Sequence, residues 1–288
     1  MNTQLPRRIA ILGPGLLGGS LLMALRHMLP EVHLRAWARR ISAVDGIAGR
    51  NIADLASCDL QEVVRDADLV ILCTPVETMV PLARELVKSG VQPGCVVTDV
   101  GSVKTPVVVG IEAIFANSPL HFVGSHPMAG SERAGLDAAR EDLFVGAACI
   151  VTPTLLSAAP ALQTVRALWT LLGCRVLEMS PEEHDRKVAR ISHLPRLTAA
   201  AVTLAALHDD PTAAECMGNG FRDTAIRVAS GDPGLWTGII MQNRTEVLAA
   251  VRDARDRMHD LVAMLENVDD KSLRRFLSEA KLLRDSLG

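Results

Sequence analysis

An α/β domain built on a parallel sheet, followed by an all-α domain, is the architecture this sequence predicts. Three observations carry it. Short, nearly continuous apolar runs alternate with helical stretches through the first half, the pattern of strands covered on both faces. A glycine-rich turn joins the first of those strands to the first helix. Strand signals stop near residue 180, and only helical periodicity continues beyond it. At 288 residues the chain can hold two domains, and the change of rhythm divides it into residues 1–179 and 180–288.

The expected strands of the parallel sheet are RIAILG (8–13), VHLRAW (32–37), DLVILCTP (68–75), CVVTDVG (95–101), HFVGSHP (121–127) and GAACIVTP (146–153), with CRVLEMS (174–180) after one more helix. Segments such as LLGGSLLMALRHM and PVETMVPLARELVKSG supply the helices between them. The helical half opens at SPEEHDRKVARISHLPRLTAAAVTLAALH, with Ser180 as N-cap, Pro181 at the first position and Glu183 where a capping box places it. A second long helix is expected over about 235–267. Ile240, Val247, Val251, Ala254, Met258, Leu261 and Leu265 form one apolar stripe on it. DDKSLRRFLSEAKLLRDSL closes the chain as a further helix, with no added regulatory domain of the α+β kind expected beyond it. The stripe suits a homodimer contact and packing within the chain equally well.

Composition narrows the function classes. Hydrophobic residues at 49% and charged residues at 22% describe an ordinary globular protein. A net charge of -3 argues against a general nucleic-acid binder, so an anionic ligand must be held by local cations. The six cysteines are scattered without a C-x-x-C pair, several in apolar runs, as expected of free thiols in a reducing cytosol. The lead MNTQLPRRIAILG lacks a secretory pattern, and no apolar run reaches the roughly 18–20 residues of a membrane helix. A cytoplasmic protein acting on neither nucleic acid nor membrane is expected. No His, Cys, Asp or Glu cluster has metal-ligand spacing, so no metal is expected.

RIAILGPGLLGGSLLMAL reads as strand, turn and helix, with Gly13, Gly15 and Gly18 in a G-x-G-x-x-G pattern at the start of a βαβ unit. The first glycine permits a tight turn, the second lets a pyrophosphate approach the backbone, and the third lets helix and strand pack closely. Amides at the helix start, those of Leu16 and Leu17 among them, then hold the phosphates. This is a Rossmann-type dinucleotide site, and NAD(P) is the expected cofactor. The second strand of such a domain usually ends in an acid that bonds the ribose hydroxyls of NAD. Here Ala38 stands at that place, followed by Arg39 and Arg40. Two guanidiniums suit a 2′-phosphate, which favours NADP over NAD; a solvated basic pair with NAD accepted is the alternative.

Ligands of an open parallel sheet bind beyond the carboxyl ends of the strands. CTPV (73–76), DVGSVK (99–104) and GSHPMAG (124–130) end strands there. Thr74, Pro75, Asp99 and Gly101 are candidate cofactor contacts, and Ser102, Lys104, Ser125 and His126 are candidates around a reacting group. An imidazole near its ordinary pKa is the natural acceptor for a hydroxyl proton at neutral pH. His184, His208 and His259 lie in polar surroundings and are expected at the surface. Asp185 and Arg186 are expected to pair with neighbours near the helix start, and Arg222 and Asp223 to orient Arg227.

GPGLLGGSL, DLVILCTPV, TDVGSVK, FVGSHPMAGSERAG, HDRKVARISHLP and GFRDTAIRVASGDPGLW occur in that order, from about residue 8 into the 240s. Together they resemble the prephenate/arogenate dehydrogenase family of tyrosine biosynthesis. The resemblance implies a dinucleotide-binding domain followed by a helical dimerisation domain. It also implies NAD(P)-dependent oxidative decarboxylation of prephenate to 4-hydroxyphenylpyruvate and CO2, or of arogenate to tyrosine. It assigns His126 as acceptor of the ring-hydroxyl proton and Ser102 as a hydrogen-bond partner of that hydroxyl that helps orient His126. It assigns Arg227 to a substrate carboxylate and His193 to the substrate pocket, and Ser125, beside His126 in GSHPMAG, is a further candidate substrate contact. Many family members read HLPH where this chain reads HLPR. The three-residue spacing keeps Arg196 on one helical face with His193, where it would add a cation for the side-chain carboxylate and favour prephenate. The alternative for Arg196 is a side chain in solvent.

Two rival functions share parts of this pattern. A β-hydroxyacid or imine-reductase type of dehydrogenase would show the glycine turn and a helical second domain, but not GSHPMAG with SHLP and the Arg227 segment. A non-enzymatic nucleotide sensor would keep the glycines and need neither His126, Ser102 nor Arg227.

Overall fold

The computed structural model describes residues 6–131 and 133–287. The polar lead Met1–Leu5, read above as lacking a secretory pattern, and Glu132 of the GSERAG segment lie outside the described residues.

Six parallel strands form the main sheet: β1 (Arg8–Leu12), β2 (His33–Trp37), β3 (Leu55–Ser57), β4 (Leu69–Leu72), β5 (Val96–Asp99) and β6 (His121–Phe122), in the order β3-β2-β1-β4-β5-β6. The two-residue period of a strand sends alternate side chains to opposite faces. Ile9 and Ile11 of β1 join Leu69 and Ile71 of β4 in one core, while Ala10, Leu12, Val70 and Leu72 enter a second core on the other face. Helices cover both cores. Helix α1 (Leu16–Met28) lies over the first. Helices α4 (Val76–Lys88) and α5 (Thr105–Phe115) lie over the second. The short α2 (Ile41–Ala48) and α3 (Leu60–Val64) flank the outer strands. Strand β3 carries no strong apolar run, and sequence periodicity does not find it.

One expected strand is divided. HFVGSHP does not run through a single sheet: β6 ends at Phe122, and β7 (Gly124–Pro127) begins a second sheet of order β7-β8-β9. In it β7 runs antiparallel to β8 (Ala148–Thr152), which runs parallel to β9 (Arg175–Glu178) behind helix α6 (Ala159–Leu171). Side-chain bonds make the break. The Asp99 carboxylate accepts the Ser125 amide at 3.1 Å, and the Ser125 hydroxyl donates to the Asp99 carbonyl at 2.6 Å, replacing ladder bonds between β5 and β7. Gly124 lets β7 approach β8, because a Cβ there would stand 2.5 Å from Thr152 Oγ1 of its paired residue.

The helical half begins as expected: Ser180 caps α7 (Pro181–Val188) by accepting the Glu183 amide at 3.2 Å. Two expected continuous helices are interrupted. A π-turn, Ala189–His193, separates α7 from α8 (Leu194–Leu207). Pro195 lacks the N–H that would bond back to residue 191, and its ring crowds that carbonyl, so the backbone widens by one residue. Further on, short turns α9 (Asn219–Phe221) and α10 (Arg227–Ala229) bracket a second π-turn, Arg222–Ile226. The helix expected over 235–267 breaks at Asn243 into α11 (Pro233–Gln242) and α12 (Arg244–Glu266), with α13 (Asp270–Asp285) after them. Helix α11 packs on α4, and its Ile239 and Trp236 complete the second core of the α/β domain. Of the expected stripe, Val247 is buried while Met258 and Leu265 are exposed. No described helix is long and apolar enough to cross a membrane.

Candidate active site

The strand order reverses between β1 and β4, and a cleft of about 1400 Å³ opens at their carboxyl ends. Gly13, Gly15, Arg39, Arg40, Thr74 and Pro75 line it. Gly13 has φ 98°, and a Cβ there would lie 2.9 Å from the Cys73 carbonyl. A Cβ on Gly18 would meet the Gly13 carbonyl oxygen at 2.4 Å, so helix and turn touch only because this residue has none. A Cβ on Gly15 meets nothing within 4 Å; its face is open to the cleft, beside the first-turn amides of Leu16 and Leu17, which have no acceptor within the helix. Thr74 Oγ1 is buried without a partner among the described residues. These features fit a dinucleotide. Ala38 is buried at the end of β2, and Arg39 and Arg40 after it are exposed on the cleft wall, so no acid stands at the usual ribose position.

Asp99 and Ser125, expected among the ligand contacts, lie in the protein interior. Both are fully buried and occupied with protein partners. The Asp99 carboxylate accepts the Gly101 amide at 2.8 Å and pairs with Lys104 Nζ, which also donates to the Ser125 carbonyl at 2.9 Å. Ser125 Oγ is shared among Thr98 Oγ1, the Asp99 carbonyl and the Trp169 indole N–H, all within 2.9 Å. These residues hold β5 and β7 together and so set the position of His126, the next residue of β7. Gly101 is buried, its amide bound to Asp99. Ser102, in the same loop, is half-buried, and no hydrogen bond joins it to His126 among the described residues.

His126, on β7, keeps 7% of its surface exposed. Its Nδ1 lies 2.8 Å from His184 Nε2, and His184 Nδ1 lies 2.8 Å from Asp185 Oδ1. The expectation of a surface role for His184 is therefore overturned: its ring is fully buried, on the inner face of α7 with Pro181, Asp185 and Val188. Asp185 also accepts the amides of Lys104 at 2.7 Å and Thr105 at 2.8 Å. His208 and His259 are exposed, as expected.

Burial, and then the neighbouring His184, Lys104 and His193, hold the His126 pKa well below the ordinary histidine value. Burial also lowers His184, against the opposing pull of Asp185. Asp185 itself is pushed up by burial, but the bonds from His184, Lys104 and Thr105 outweigh this and hold it low.

A second cluster lies on the helical side. His193 is buried at the end of the π-turn, its Nδ1 accepting from Asn243 Nδ2 at 3.3 Å and its Nε2 without a partner. Asn243 Nδ2 also donates to the Asp185 carbonyl at 2.9 Å, tying the break between α11 and α12 to the histidine network. Arg196 does not point into solvent: its guanidinium stacks 4.2 Å from the Trp236 ring centroid, and its Nη1 is buried without a partner. Gly231, at φ 114°, allows that stack, since a Cβ there would lie 2.9 Å from Arg196 Nη2. Trp236 was not among the expected site residues; its place at the end of the PGLW run gave no signal of it. Arg227 is exposed and makes no ion pair or side-chain hydrogen bond among the described residues, and neither Arg222 nor Asp223 bonds to it.

Comparison with known proteins decides the family. Residues 25–178 match the family described as Prephenate dehydrogenase, nucleotide-binding domain, and residues 180–279 match Prephenate dehydrogenase, dimerization domain. The chain belongs to the prephenate dehydrogenase family. It is similar to a prephenate dehydrogenase of Bacillus subtilis, 32% identical over 99% of this chain and 77% of that protein. It also resembles a cyclohexadienyl dehydrogenase of Zymomonas mobilis, 34% identical over 84% of this chain and 83% of that protein. Among solved structures, a prephenate dehydrogenase from A. aeolicus in complex with hydroxyphenyl propionate and NAD+ covers 98% of both chains at 28% identity and a TM-score of 0.89. As a member of the prephenate dehydrogenase family the chain is an NAD(P)-dependent oxidoreductase with prephenate/arogenate dehydrogenase activity.

The buried histidines carry a pH consequence. Unfolding exposes His193, whose pKa burial lowers to about 4, to water where it titrates near 6.5. Neutral histidine is the native form, so stability is complete above the unfolded pKa and is lost as pH falls below it toward 4. From about pH 8 to about pH 5, His193 alone is expected to cost about 2 kcal/mol of unfolding free energy, with His126 and His184 adding in the same direction. Urea midpoints at the two pH values check this, and His193→Phe is expected to reduce the difference.

Proposed function

We propose that this chain oxidatively decarboxylates prephenate in preference to arogenate, with NADP favoured over NAD and His126 as acceptor of the substrate hydroxyl proton. The observation that carries the reading is His126 itself: a buried, neutral imidazole on β7, the strand bonded to the carboxyl end of β5. When bound, the nicotinamide supplies the hydride acceptor at the carbon that bears the hydroxyl. The rest falls to the protein. His126 takes the proton as the carbonyl forms, which drives the hydride off that carbon; departure of CO2 then makes the ring aromatic, and the ring oxygen, left as a phenolate, takes the proton back from His126. Ser102, in the loop after β5, hydrogen-bonds the same hydroxyl. The substrate dianion requires cations and donors held in advance, and His193 Nε2 and Arg196 Nη1 are buried polar groups still lacking partners. Arg227 binds a carboxylate from its exposed turn. The exposed apolar groups of α12 and α13, Met258, Leu265 and Leu277 among them, with Val268 between the two helices, pair two copies into a homodimer. All six cysteines are free, which suits a reducing cytoplasm.

Steady-state rates in the four pairings of prephenate or arogenate with NAD+ or NADP+ test the reading, and silence in all four with nucleotide still bound would sink it. Two substitutions test its finer parts. Arg196→His is expected to lower the ratio of kcat/KM for prephenate over arogenate, because the arogenate ammonium gains least from a nearby guanidinium; an unchanged ratio removes Arg196 from substrate choice. Arg39→Ala with Arg40→Ala is expected to lower kcat/KM for NADP+ by roughly tenfold to a hundredfold, from about 1.5–3 kcal/mol for hydrogen bonds to a charged group. NAD+ should be nearly unaffected, and an equal fall for both cofactors would make the arginines a general electrostatic feature.

A further inference from the structure

We propose that His184 and Asp185 act as positioning residues that fix the tautomer of His126, leaving its Nε2 as a lone-pair acceptor. The inference deepens the proton-acceptor reading of His126 and rests on it. The bonds run one way. Asp185 carries only acceptors as a carboxylate, so the 2.8 Å contact from His184 requires a proton on His184 Nδ1. A neutral His184 then offers a lone pair at Nε2, and the 2.8 Å contact to His126 requires the His126 proton on Nδ1. The remaining nitrogen of His126, Nε2, is left unprotonated. Were Asp185 absent, His184 could present N–H at Nε2 instead, His126 would accept at Nδ1, and its Nε2 would carry the proton and fail as an acceptor.

Asp185 is fixed in place independently of the histidines. The Lys104 and Thr105 amides at the start of α5 bind both of its oxygens, and Asn243 binds its carbonyl. The relay thus reaches His126 from the helical domain and is clamped to the α/β domain by the same carboxylate. The charged and titratable groups that face it are Asp99 at the end of β5, Lys104 from the loop after it and His193 from the π-turn. Lys104 and Asp99 are paired with each other. His193, lowered by burial to about 4, is neutral near pH 7. Burial lowers His126 and His184 as well, which agrees with two neutral rings sharing one hydrogen bond.

The test has two parts. Imidazole 15N spectra of the wild-type protein without substrate, assigned with single histidine variants, are expected to show His126 neutral with its proton on Nδ1; a proton on Nε2 overturns the proposal. Steady-state assays then compare His184→Leu, which removes the acceptor facing His126, with His184→Gln, whose carbonyl oxygen can occupy the place of Nε2. The leucine variant is expected to lose on the order of 10²-fold in kcat, with the affinity for cofactor unchanged and the His126 tautomer no longer fixed. Glutamine should recover most of that loss. Equal losses in both variants, with the His126 signal unmoved, make His184 a packing residue and overturn the inference. Failure of the proton-acceptor reading is separable: it would appear as a wild-type protein that shows the Nδ1–H tautomer and turns over neither substrate.

Discussion

Replacement of His126 by alanine is expected to lower kcat by about 10²–10⁴-fold, or about 2.7–5.5 kcal/mol of transition-state stabilisation. The dissociation constant for cofactor should barely change, since His126 does not line the nucleotide cleft. Burial and the neighbours His184, Lys104 and His193 keep this imidazole neutral, so near neutral pH it is already in the accepting form. The activity it supports should therefore persist well below pH 6.5, until the depressed pKa is reached or the fold is lost. Steady-state kinetics across pH, with cofactor binding measured separately, checks both statements. A variant that kept wild-type kcat would remove His126 from the chemistry.

Loss of the Lys104 ammonium should damage the fold itself. Lys104→Met leaves the Asp99 carboxylate fully buried without its counter-charge, a change that costs about 3–5 kcal/mol when one partner of a buried pair is removed. It also deprives the Ser125 carbonyl of its donor, on the strand that carries His126. The urea midpoint is expected to fall and kcat to fall with it. Asp99→Asn in the same chain should recover part of the stability, because the buried charge is gone and the amide oxygen can still accept from Ser125 or Gly101. If the double variant were no more stable than Lys104→Met, the cost would lie in the lost packing of the lysine and not in the orphaned charge.

Much of the site could be read along the chain because it depends on local geometry. A glycine that must take φ 98°, a third glycine that must let a carbonyl approach, and the N-terminus of α1 all belong to one continuous segment. The same holds for the Ser180 cap and for the pair Arg39–Arg40. His184 was misplaced because its neighbours in sequence are charged. Its helical phase, with Pro181, Asp185 and Val188 at the spacing of one face, was the signal that it pointed inward. Asp99 and Ser125 lie at predicted strand ends, which along the chain points only to ligand contacts. Their bonds run across 26 residues to each other and, through Trp169, to a helix 44 residues on, and no local pattern encodes such partners. The breaks at Pro195 and Asn243 fall inside segments whose apolar period continues through them.

The sequence by itself determined the domain order, the nucleotide turn, the family and the histidine of GSHPMAG, because each is written in residues a few positions apart whose backbone demands are local. Only the tertiary structure decided what that histidine touches. It divided HFVGSHP between two sheets, buried the Lys104–Asp99 pair beneath the break, stacked Arg196 on Trp236 and brought Asp185 and His184 from the second domain against His126. The physical reason is that a buried polar group must find its partner wherever the fold brings one within hydrogen-bond reach, and the partner of His126 lies 58 residues along the chain.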